Sequence, residues 1–203
     1  MRLYWSSRSP FVRKVSISAH ELGMFDKLEC VPTVVKTEEP NQRMMEINPL
    51  NRIPVLITDD GMVIHDSAVI CEWLDATFAK GRLFPPDGPV RWDALRRQTM
   101  ADALMDYGLL RRGETRRRSP SEIFAKAYET KVGATLDALN AEADRLASES
   151  MTIGEIAIVC ALSHLDFRFA EDNWRAGRGA LDRWFEKISQ RPSVQATAFQ
   201  DVR

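Results

Sequence analysis

Strand and helix signals alternate through residues 1–78, and only helix signals follow them. This change along the 203-residue chain limits the folds that the chain can adopt more than any other feature does. Short apolar runs predict strands over residues 2–5, 28–35, 53–57 and 62–64. Apolar residues at helical spacing predict helices over residues 11–22, 41–47 and 67–78. The order β-α-β-α-β-β-α predicts a small α/β unit with a mixed sheet.

A segment rich in proline and glycine, residues 79–89, follows this unit. Beyond it, helical spacing predicts helices over residues 90–110, 121–147, 153–170 and 179–190, the last of them stopped by Pro192. The chain is therefore predicted to contain an α/β domain (1–78), a linker (79–89) and an all-helical domain (90–203).

The start of the third helix of the second half is marked by a capping box. Thr152 and Glu155 stand in the N-cap and N3 positions, and Met151 and Ile156 stand where a hydrophobic staple would sit. Residues 153–165 are apolar on nearly every face, which predicts a helix buried all round.

The net charge and the cysteines limit which partners the chain is expected to bind and in which compartment it is expected to reside. The net charge is -1, so no overall field favours nucleic acid, and no apolar run approaches the roughly 18 residues of a membrane span. The first five residues lack the apolar core of a secretion signal. Cys30, Cys71 and Cys160 form no CxxC pair, so no metal site is predicted. We expect a cytoplasmic protein that binds neither nucleic acid nor membrane.

The first chemical signal is the loop from Ser6 to Ser9, between a predicted strand and a predicted helix. Pro10 suits the first helical position, and unpaired amides at a helix N-terminus favour an anion. The Ser9 hydroxyl is placed to donate to such an anion. The same pattern also fits an ordinary N-cap role for Ser9.

Two further signals lie near residues 54 and 66. Pro54 interrupts a strand pattern, a conflict that a cis bond before the strand resolves, leaving the Val55 N–H and C=O free for a peptide-like ligand. An ordinary trans proline at a sheet edge is the alternative. Asp66 and Ser67 begin a helix, where Ser67 can bind a carboxylate and Asp66 an ammonium group. A plain helix cap also explains this pair.

Other polar residues carry weaker signals. His20 and His164 are single histidines on helical faces and are interpreted as structural. Arg111-Arg112 and Arg116-Arg117-Arg118 form a basic cluster, interpreted as a solvated loop. Cys71 is predicted to lie in the core.

The order and spacing of these signals resemble the glutathione S-transferase superfamily over essentially the whole chain. The matching residues are the serine before Pro10-Phe11, Asn48-Pro49 with Ile53-Pro54-Val55, and Asp66-Ser67 before a helix. The Ser-Pro-Phe-Val-Arg-Lys run resembles a bacterial branch. The resemblance implies a thioredoxin-like N-terminal domain and an all-α C-terminal domain.

The resemblance also implies roles for individual residues. It implies that the bond before Pro54 is cis and that the Val55 backbone pairs with the cysteinyl part of glutathione. It also implies that Asp66 and Ser67 hold the γ-glutamyl end. Arg52 stands where a basic residue often assists the glycyl carboxylate. Phe11 and Ile53 complete the expected glutathione-binding set. Ser9 is favoured as the thiolate-stabilising residue, with Ser6 as the alternative.

The implied activity is conjugation of the glutathione thiolate to a small hydrophobic electrophile, by a homodimer without a metal. Because no cysteine lies in the loop, disulfide exchange of the cysteine-dependent type is disfavoured. A non-catalytic binding or regulatory protein, or a glutathione-dependent isomerase or dehalogenase, would fit the same resemblance.

Overall fold

The computed structural model describes residues 1–146 and 150–201. The strands are β1 (Arg2–Trp5), β2 (Glu29–Pro32), β3 (Val55–Ile57) and β4 (Val63–Ile64). The α-helices within these residues are α1 (Pro10–Glu21), α2 (Gln42–Met45), α3 (Ser67–Phe78), α4 (Gly88–Thr115), α5 (Glu122–Ala141), α6 (Ile153–Arg168), α7 (Gly179–Ile188) and α8 (Pro192–Ala196). Short 3₁₀ helices span Phe25–Lys27, Ala143–Arg145 and Ala170–Asp172.

The strands form one mixed sheet in the order β2-β1-β3-β4. β1 runs parallel to β2 and antiparallel to β3, and β3 runs antiparallel to β4. Leu3 stands opposite Leu56, and both side chains are fully buried. The predicted α/β unit with a mixed sheet is confirmed. β2 is shorter than predicted because the Thr33 amide already bonds to Trp5, the last residue of β1.

Helix α6 lies at the centre of the helical half. It is buried on nearly every face, as its apolar sequence predicts. The capping box is present, with the Glu155 carboxylate accepting the Thr152 N–H at 2.9 Å. Gly154 brings α6 close to α4, since a Cβ built on it would lie 2.9 Å from the Ala94 carbonyl oxygen. A larger residue would push these two helices apart.

Two polar contacts fasten the α/β half to the helical half. The Lys14 side chain is fully buried in α1, and its ammonium donates to both carboxylate oxygens of Asp102 on α4 at 2.7 Å. At the other end of α1, Glu21 accepts hydrogen bonds from Arg191 and Ser193, beside and within α8. The two halves therefore share a charged as well as an apolar boundary.

Helix α4 differs from its predicted bounds of 90–110. It begins at Gly88, so Gly88 and Pro89 belong to the helix and not to the linker, because proline suits the first turn of a helix. It continues to Thr115, so the prediction that Arg111 and Arg112 lie in a solvated loop is wrong. Cations near a helix C-terminus are favoured by its dipole. The following arginines, residues 116–118, are exposed as predicted.

The remaining helices agree with prediction apart from their ends and one omission. The helix predicted over 121–147 begins after its cap Ser121 and ends at Ala141, and Ala147 lies outside the described residues. The helices predicted to reach residues 170 and 190 end at Arg168 and Ile188. Helix α8 was not predicted: Pro192 ends one helix but also occupies the first position of the next.

Candidate functional site

Ser9 ends the loop after β1 and caps helix α1. Its backbone is extended, and its Oγ accepts a hydrogen bond from the Val12 N–H at 3.3 Å. Pro10 follows as the first helical residue and removes one amide that the first turn would leave unpaired. The N-cap interpretation of Ser9 is confirmed.

Capping leaves two donors open at this helix end. A serine hydroxyl has a proton to donate in addition to its acceptor lone pairs, and the bond from Val12 uses only an acceptor position. Among the described residues, neither the Ser9 hydroxyl nor the Phe11 N–H donates a hydrogen bond. Both groups lie at the positive end of the α1 dipole, where an anion is favoured.

Ser6 lies in the same loop. Its Oγ accepts the Arg8 N–H at 3.4 Å, and its carbonyl accepts the Ser9 N–H at 3.2 Å. Its hydroxyl proton is also unused within the described part of the chain. The geometry therefore leaves both Ser9 and Ser6 as possible donors to a bound sulfur.

Three loops meet at one edge of the sheet because β1, β3 and β4 are neighbours. β1 is antiparallel to β3, so the loop after Trp5 lies beside the residues that precede Val55. β3 is antiparallel to β4, so the residues after Ile64 lie at the same end. The fold thus brings the Ser6–Ser9 loop, the Ile53–Pro54 turn and the Asp66–Ser67 pair to one edge.

The Ile53–Pro54 peptide bond is cis, and β3 begins at the next residue. This is the conformation that the resemblance assigns to Pro54. The trans alternative is therefore excluded for this turn.

The Val55 backbone is already engaged in the sheet. The Thr33 N–H donates to the Trp5 carbonyl at 2.8 Å across β2 and β1. Backbone groups alternate sides along a strand, so those of the preceding residue, Tyr4, point toward β3. Tyr4 stands opposite Val55, and the two therefore exchange N–H···O=C bonds. The prediction that the Val55 N–H and C=O are free for a ligand is wrong.

Ile53 supplies open backbone groups at this turn. Its N–H and C=O form no hydrogen bond among the described residues, and the residue is half-buried. The neighbouring Arg52 is exposed, with its carbonyl held by the Asn48 side-chain amide at 2.9 Å. An extended peptide lying along this edge can pair with Ile53.

Asp66 and Ser67 open helix α3. The Asp66 Oδ1 accepts the Ala68 N–H at 3.0 Å, which confirms the cap interpretation of Asp66. Ser67 is only 2% exposed, yet neither its hydroxyl nor its N–H donates a hydrogen bond within the described residues. These two donors are therefore available to a carboxylate at the start of α3.

Two acidic residues of α4 adjoin this edge from the helical half, and sequence reasoning missed both. Asp102 and Asp106 are four residues apart and so share one face of α4. Burial raises the pKa of the Asp106 carboxyl, and the nearby Arg52 opposes the rise. Burial likewise raises the pKa of Asp102, against the effect of Lys14. Their spacing was visible in the sequence, but nothing along the chain showed which way this face turns.

The segment after α8 closes onto the serine loop and was also missed. The Ser7 Oγ donates to the Gln200 carbonyl at 2.9 Å, and the Gln200 N–H donates to the Ser7 carbonyl at 3.3 Å. The Phe199 ring stacks on Phe167 with centroids 5.0 Å apart, and the Arg13 guanidinium lies 4.9 Å from its centroid. The helical half therefore covers one side of the loop that carries Ser6 and Ser9.

The cysteines lie away from this loop. Burial raises the pKa of the Cys71 thiol to about 11 and that of Cys160 to about 12, and both belong to the core, as predicted for Cys71. Cys30 is half-buried in β2. Among residues 1–146 and 150–201, no three His, Cys, Asp or Glu side chains gather as metal ligands.

Both halves of the chain match known families. Residues 8–77 match the family described as glutathione S-transferase, N-terminal domain, and residues 121–187 match glutathione S-transferase, C-terminal domain. The crystal structure of a glutathione transferase family member from Pseudomonas fluorescens Pf-5, with bound glutathione, has a TM-score of 0.93 and 35% identity over 98% of both chains. The chain belongs to the glutathione S-transferase superfamily.

Other relatives agree with this assignment to the glutathione S-transferase superfamily. A Pseudomonas fluorescens Pf-5 structure with bound S-(propanoic acid)-glutathione has a TM-score of 0.88 and 35% identity over 98% of this chain and all of that one. The uncharacterized GST-like protein YibF of Escherichia coli strain K12 is 29% identical over 97% of this chain and 98% of its own. The predicted fold, thioredoxin-like and then all-helical, is confirmed.

Within the described parts of this superfamily member, no helix combines the length and apolar composition needed to cross a bilayer.

Proposed function

We propose that this chain is a glutathione transferase that joins the glutathione sulfur to an electrophilic small molecule. The observation that carries the proposal is the set of open donors at one sheet edge: the Ser9 hydroxyl, the Phe11 N–H, the Ile53 backbone and the Ser67 hydroxyl. Relatives of 35% identity hold glutathione or an S-substituted glutathione, which supports the same ligand here.

The open groups suit the different parts of glutathione. In this proposal the γ-glutamyl carboxylate binds the Ser67 hydroxyl and N–H, and Asp66 accepts from the ammonium group. The cysteinyl backbone pairs with Ile53, with Val55 behind it in the sheet, and exposed Arg52 attracts the glycyl carboxylate. The sulfur then lies at the N-terminus of α1, beside Phe11.

The helix end and one hydroxyl are sufficient to activate the thiol. An ordinary thiol with a pKa near 8.5 is mostly protonated at neutral pH. A hydrogen bond to a charged group contributes about 1.5–3 kcal/mol, which raises the thiolate fraction about tenfold or more. The Ser9 hydroxyl supplies that bond, and the α1 dipole favours the resulting anion. The thiolate then attacks the electrophile.

Replacing Ser9 tests this assignment. Ser9→Ala is expected to raise the pKa of bound glutathione and to lower kcat about tenfold near neutral pH. The loss should shrink at alkaline pH, where the thiol ionises unaided. The measurement is the ultraviolet absorbance of the thiolate against pH, together with turnover of a generic electrophile.

Ser6→Ala is the matched control, because Ser6 lies in the same loop and also has an unused hydroxyl proton. If only Ser6→Ala raises the pKa, the donor is Ser6. If Ser9→Ala loses about 1 kcal/mol of stability while the pH profile keeps its shape, Ser9 is only a cap. Glutathione binding without turnover by the parent would contradict the transferase assignment.

We also propose the cytoplasm as the working compartment. Conjugation consumes glutathione as a thiol, and a reducing compartment keeps it in that form. All three cysteines of the chain are unpaired, which suits the same environment.

A further inference from the structure

A cavity of about 430 Å³ opens between the C-terminal ends of α4 and α6. Four of its lining residues are arginines, Arg111, Arg112, Arg116 and Arg168, and its other members include two phenylalanines. The volume lies within the roughly 300–1,000 Å³ typical of small-molecule sites. The lining combines apolar rings with an excess of positive charge.

Only one of these arginines is neutralised by a close carboxylate. Arg111 forms a two-point ion pair with Asp172, with Nη2 3.0 Å from Oδ1. Among the described residues, no carboxylate lies within ion-pair distance of Arg112 or Arg116. Burial lowers the pKa of Arg112, and the neighbouring charge of Arg116 adds to the effect. Arg112 and Arg116 therefore contribute positive charge to the cavity that no ion pair with a described carboxylate offsets.

The geometry of Arg168 indicates that the cavity binds an anion. Its Nε and Nη2 are buried and form no hydrogen bond within the described part of the chain. These two nitrogens form the edge of a guanidinium that binds a carboxylate through two parallel hydrogen bonds. The Arg168 guanidinium is held 3.8 Å from the centroid of the Phe167 ring. Buried donors without acceptors are costly, so this edge is arranged for a missing anion.

One carboxylate of the chain stands near that edge. The Asp201 Oδ1 lies 3.9 Å from the Arg168 Nη2 and also 3.9 Å from the Arg8 Nη1. Both distances exceed that of a hydrogen bond. Asp201 thus offsets part of the charge without satisfying the donors, and a ligand carboxylate can approach more closely.

His164 adds no charge to this region. Both of its ring nitrogens are buried without a hydrogen bond to any described residue. Burial lowers the pKa of His164 to about 3, with Arg168 and Arg112 contributing, so the ring is neutral at physiological pH. The local field comes from the arginines, opposed by Asp201 and the lining residue Glu171.

The cavity is connected to the loop that holds the candidate thiol donors. Arg8 directly precedes Ser9, and Arg8 and Arg168 share the Asp201 oxygen. Asp201 follows Gln200, which is hydrogen-bonded to Ser7. An anion bound to Arg168 in place of Asp201 would therefore lie near Arg8, the residue before Ser9.

We propose that the second substrate is an aromatic electrophile bearing a carboxylate, which Arg168 and Arg112 bind in place of Asp201. Phe169 is buried, and Phe199 and Arg168 cover the two faces of the Phe167 ring, so half-buried Phe167 offers its ring edge as the apolar contact for the ligand ring. The reaction rests on the proposed transferase function, whereas the binding of an aromatic acid does not. The site is selective for charge because the same ring without a carboxylate leaves the Arg168 edge unpaired.

A matched pair of probes isolates the carboxylate: para-chloro-meta-nitrobenzoate and its methyl ester. In each, the glutathione sulfur attacks the ring carbon that bears chlorine. A C–S bond forms, the C–Cl bond breaks, chloride leaves with the bonding electron pair, and the thiol proton passes to solvent. The two probes differ in charge, and also in intrinsic reactivity, because a para ester activates the ring toward attack more than a para carboxylate does. Each kcat/KM is therefore divided by the rate constant of the uncatalysed reaction with glutathione before acid and ester are compared.

Turnover of the two probes tests the selectivity. The parent is expected to show a higher kcat/KM for the acid than for the ester. Arg168→Met and Arg112→Met should each lower kcat/KM for the acid about tenfold more than kcat/KM for the ester. Asp201→Asn should act in the opposite direction and favour the acid further. Arg117→Met is the control, since Arg117 is exposed, does not line the cavity and should keep the parent preference.

Calorimetry with unreactive meta-nitrobenzoate and its methyl ester separates this inference from the transferase assignment. Tighter binding of the acid, weakened by Arg168→Met and strengthened by Asp201→Asn, supports the site even if no conjugation occurs. Conjugation of acid and ester with equal kcat/KM in the parent would overturn the site while leaving the transferase intact. Equal binding of acid and ester would also overturn it. If Arg168→Met does not fold, Arg112→Met and Asp201→Asn decide the outcome.

Discussion

Ser67 combines near-complete burial with unused hydrogen-bonding capacity. Its hydroxyl and N–H face no acceptor among the described residues, although only 2% of the residue is exposed. Half-buried Ser9 and Phe11 likewise have unused donors at the start of α1, the Ser9 hydroxyl and the Phe11 N–H. At the scale of residues, the candidate site is a set of hydrogen-bond donors. The fold holds them in place without giving them an acceptor among the described residues.

Ser67→Ala is expected to raise KM for glutathione about tenfold with kcat nearly unchanged. Its contacts are with the γ-glutamyl end, remote from the sulfur, so they act equally in the ground and transition states. Steady-state kinetics and calorimetric glutathione binding give the measurement. Ser121→Ala, which removes the cap of distant α5, should cost about 1 kcal/mol of stability and leave KM alone. Unchanged glutathione affinity in Ser67→Ala would refute the assignment.

Helices α4 and α6 come closest at Gly154, where a side chain would have less space than at any other glycine of the described residues. A Cβ on Gly154 would stand 2.9 Å from both the Ala94 carbonyl oxygen and the Arg97 Cβ. The first of these is backbone and cannot turn aside. At the scale of elements, the absence of a side chain at Gly154 sets the spacing of the two central helices.

Gly154→Ala is therefore expected to lower the free energy of unfolding by about 1–3 kcal/mol. Urea denaturation at neutral pH provides the measurement. Gly113→Ala in α4 is the control, because its Cβ would meet nothing within 4 Å and alanine favours helix by up to about 1 kcal/mol. Equal effects of the two substitutions would contradict the packing argument.

The link between α1 and the α8 region should make stability depend on pH. Burial favours the neutral form of Glu21, but hydrogen bonds from Arg191 and Ser193 outweigh it and hold the pKa below its ordinary value of 4.5. A carboxyl with a lowered folded-state pKa stabilises the fold above its unfolded pKa and loses that contribution as pH falls through the folded value. Glu21 therefore stabilises the fold at neutral pH and stops doing so in acid.

Glu21→Gln should cost about 1.5–3 kcal/mol at neutral pH, the range for hydrogen bonds to charged groups. The difference from the parent should shrink steadily below pH 4.5, the ordinary value. Urea denaturation across the acid range measures both curves. A gap that stays constant down to the acid limit would show that the Glu21 charge does not contribute.

Local sequence determined most elements but not where several of them end. The bounds of α3 and the capping box of α6 agree with prediction because caps and apolar spacing are local. β2 is short because β1, its partner, ends. Helix α8 was missed because Pro192 was interpreted only as a stop. The end of β2 depends on a strand that is its neighbour in space, and the start of α8 depends on a proline that both ends one helix and begins the next.

The surface formed by α3 and the start of α4 is the part of the molecule that suggests self-association. Trp92 is 67% exposed, and Val69 and Val90 are also exposed large apolar residues. The ion pair between Glu72 and Arg91 brings these two helices together. At the scale of the whole molecule, this apolar region supports the homodimer that the family resemblance implies.

Trp92→Arg is expected to convert a homodimer into a monomer at micromolar concentration, because a charge at an apolar interface opposes association. Light scattering coupled to size-exclusion chromatography measures the mass. Ile123→Arg is the control: Ile123 is also exposed, but it lies on α5, away from the α3 and α4 surface. A parent protein of monomer mass would refute the prediction.

The sequence predicted only part of the site, because some of its residues lie in short local segments and others are brought in by tertiary packing. Ser9, Ile53, Pro54, Asp66 and Ser67 stand in short segments whose order is characteristic, so they were predicted from the N-terminal half alone. Asp106, Phe199 and Arg168 join through tertiary packing of the helical half. Their local sequences contain no pattern that distinguishes them from ordinary helix and tail residues.

The hydrogen bonds between Ser7 and Gln200 have a consequence for the timing of biosynthesis. They join residues 193 positions apart, and Arg8 and Asp201 meet at the same place. A ribosome adding about 5–20 residues per second needs roughly 10–40 seconds to reach Gln200 after Ser7 has been made. The α/β half can fold on the nascent chain well before then, but the contact between the segment after α8 and the Ser6–Ser9 loop forms only once Gln200 has been made. A translation product that stops before Gln200 would thus present the Ser6–Ser9 loop without the segment that covers one side of it.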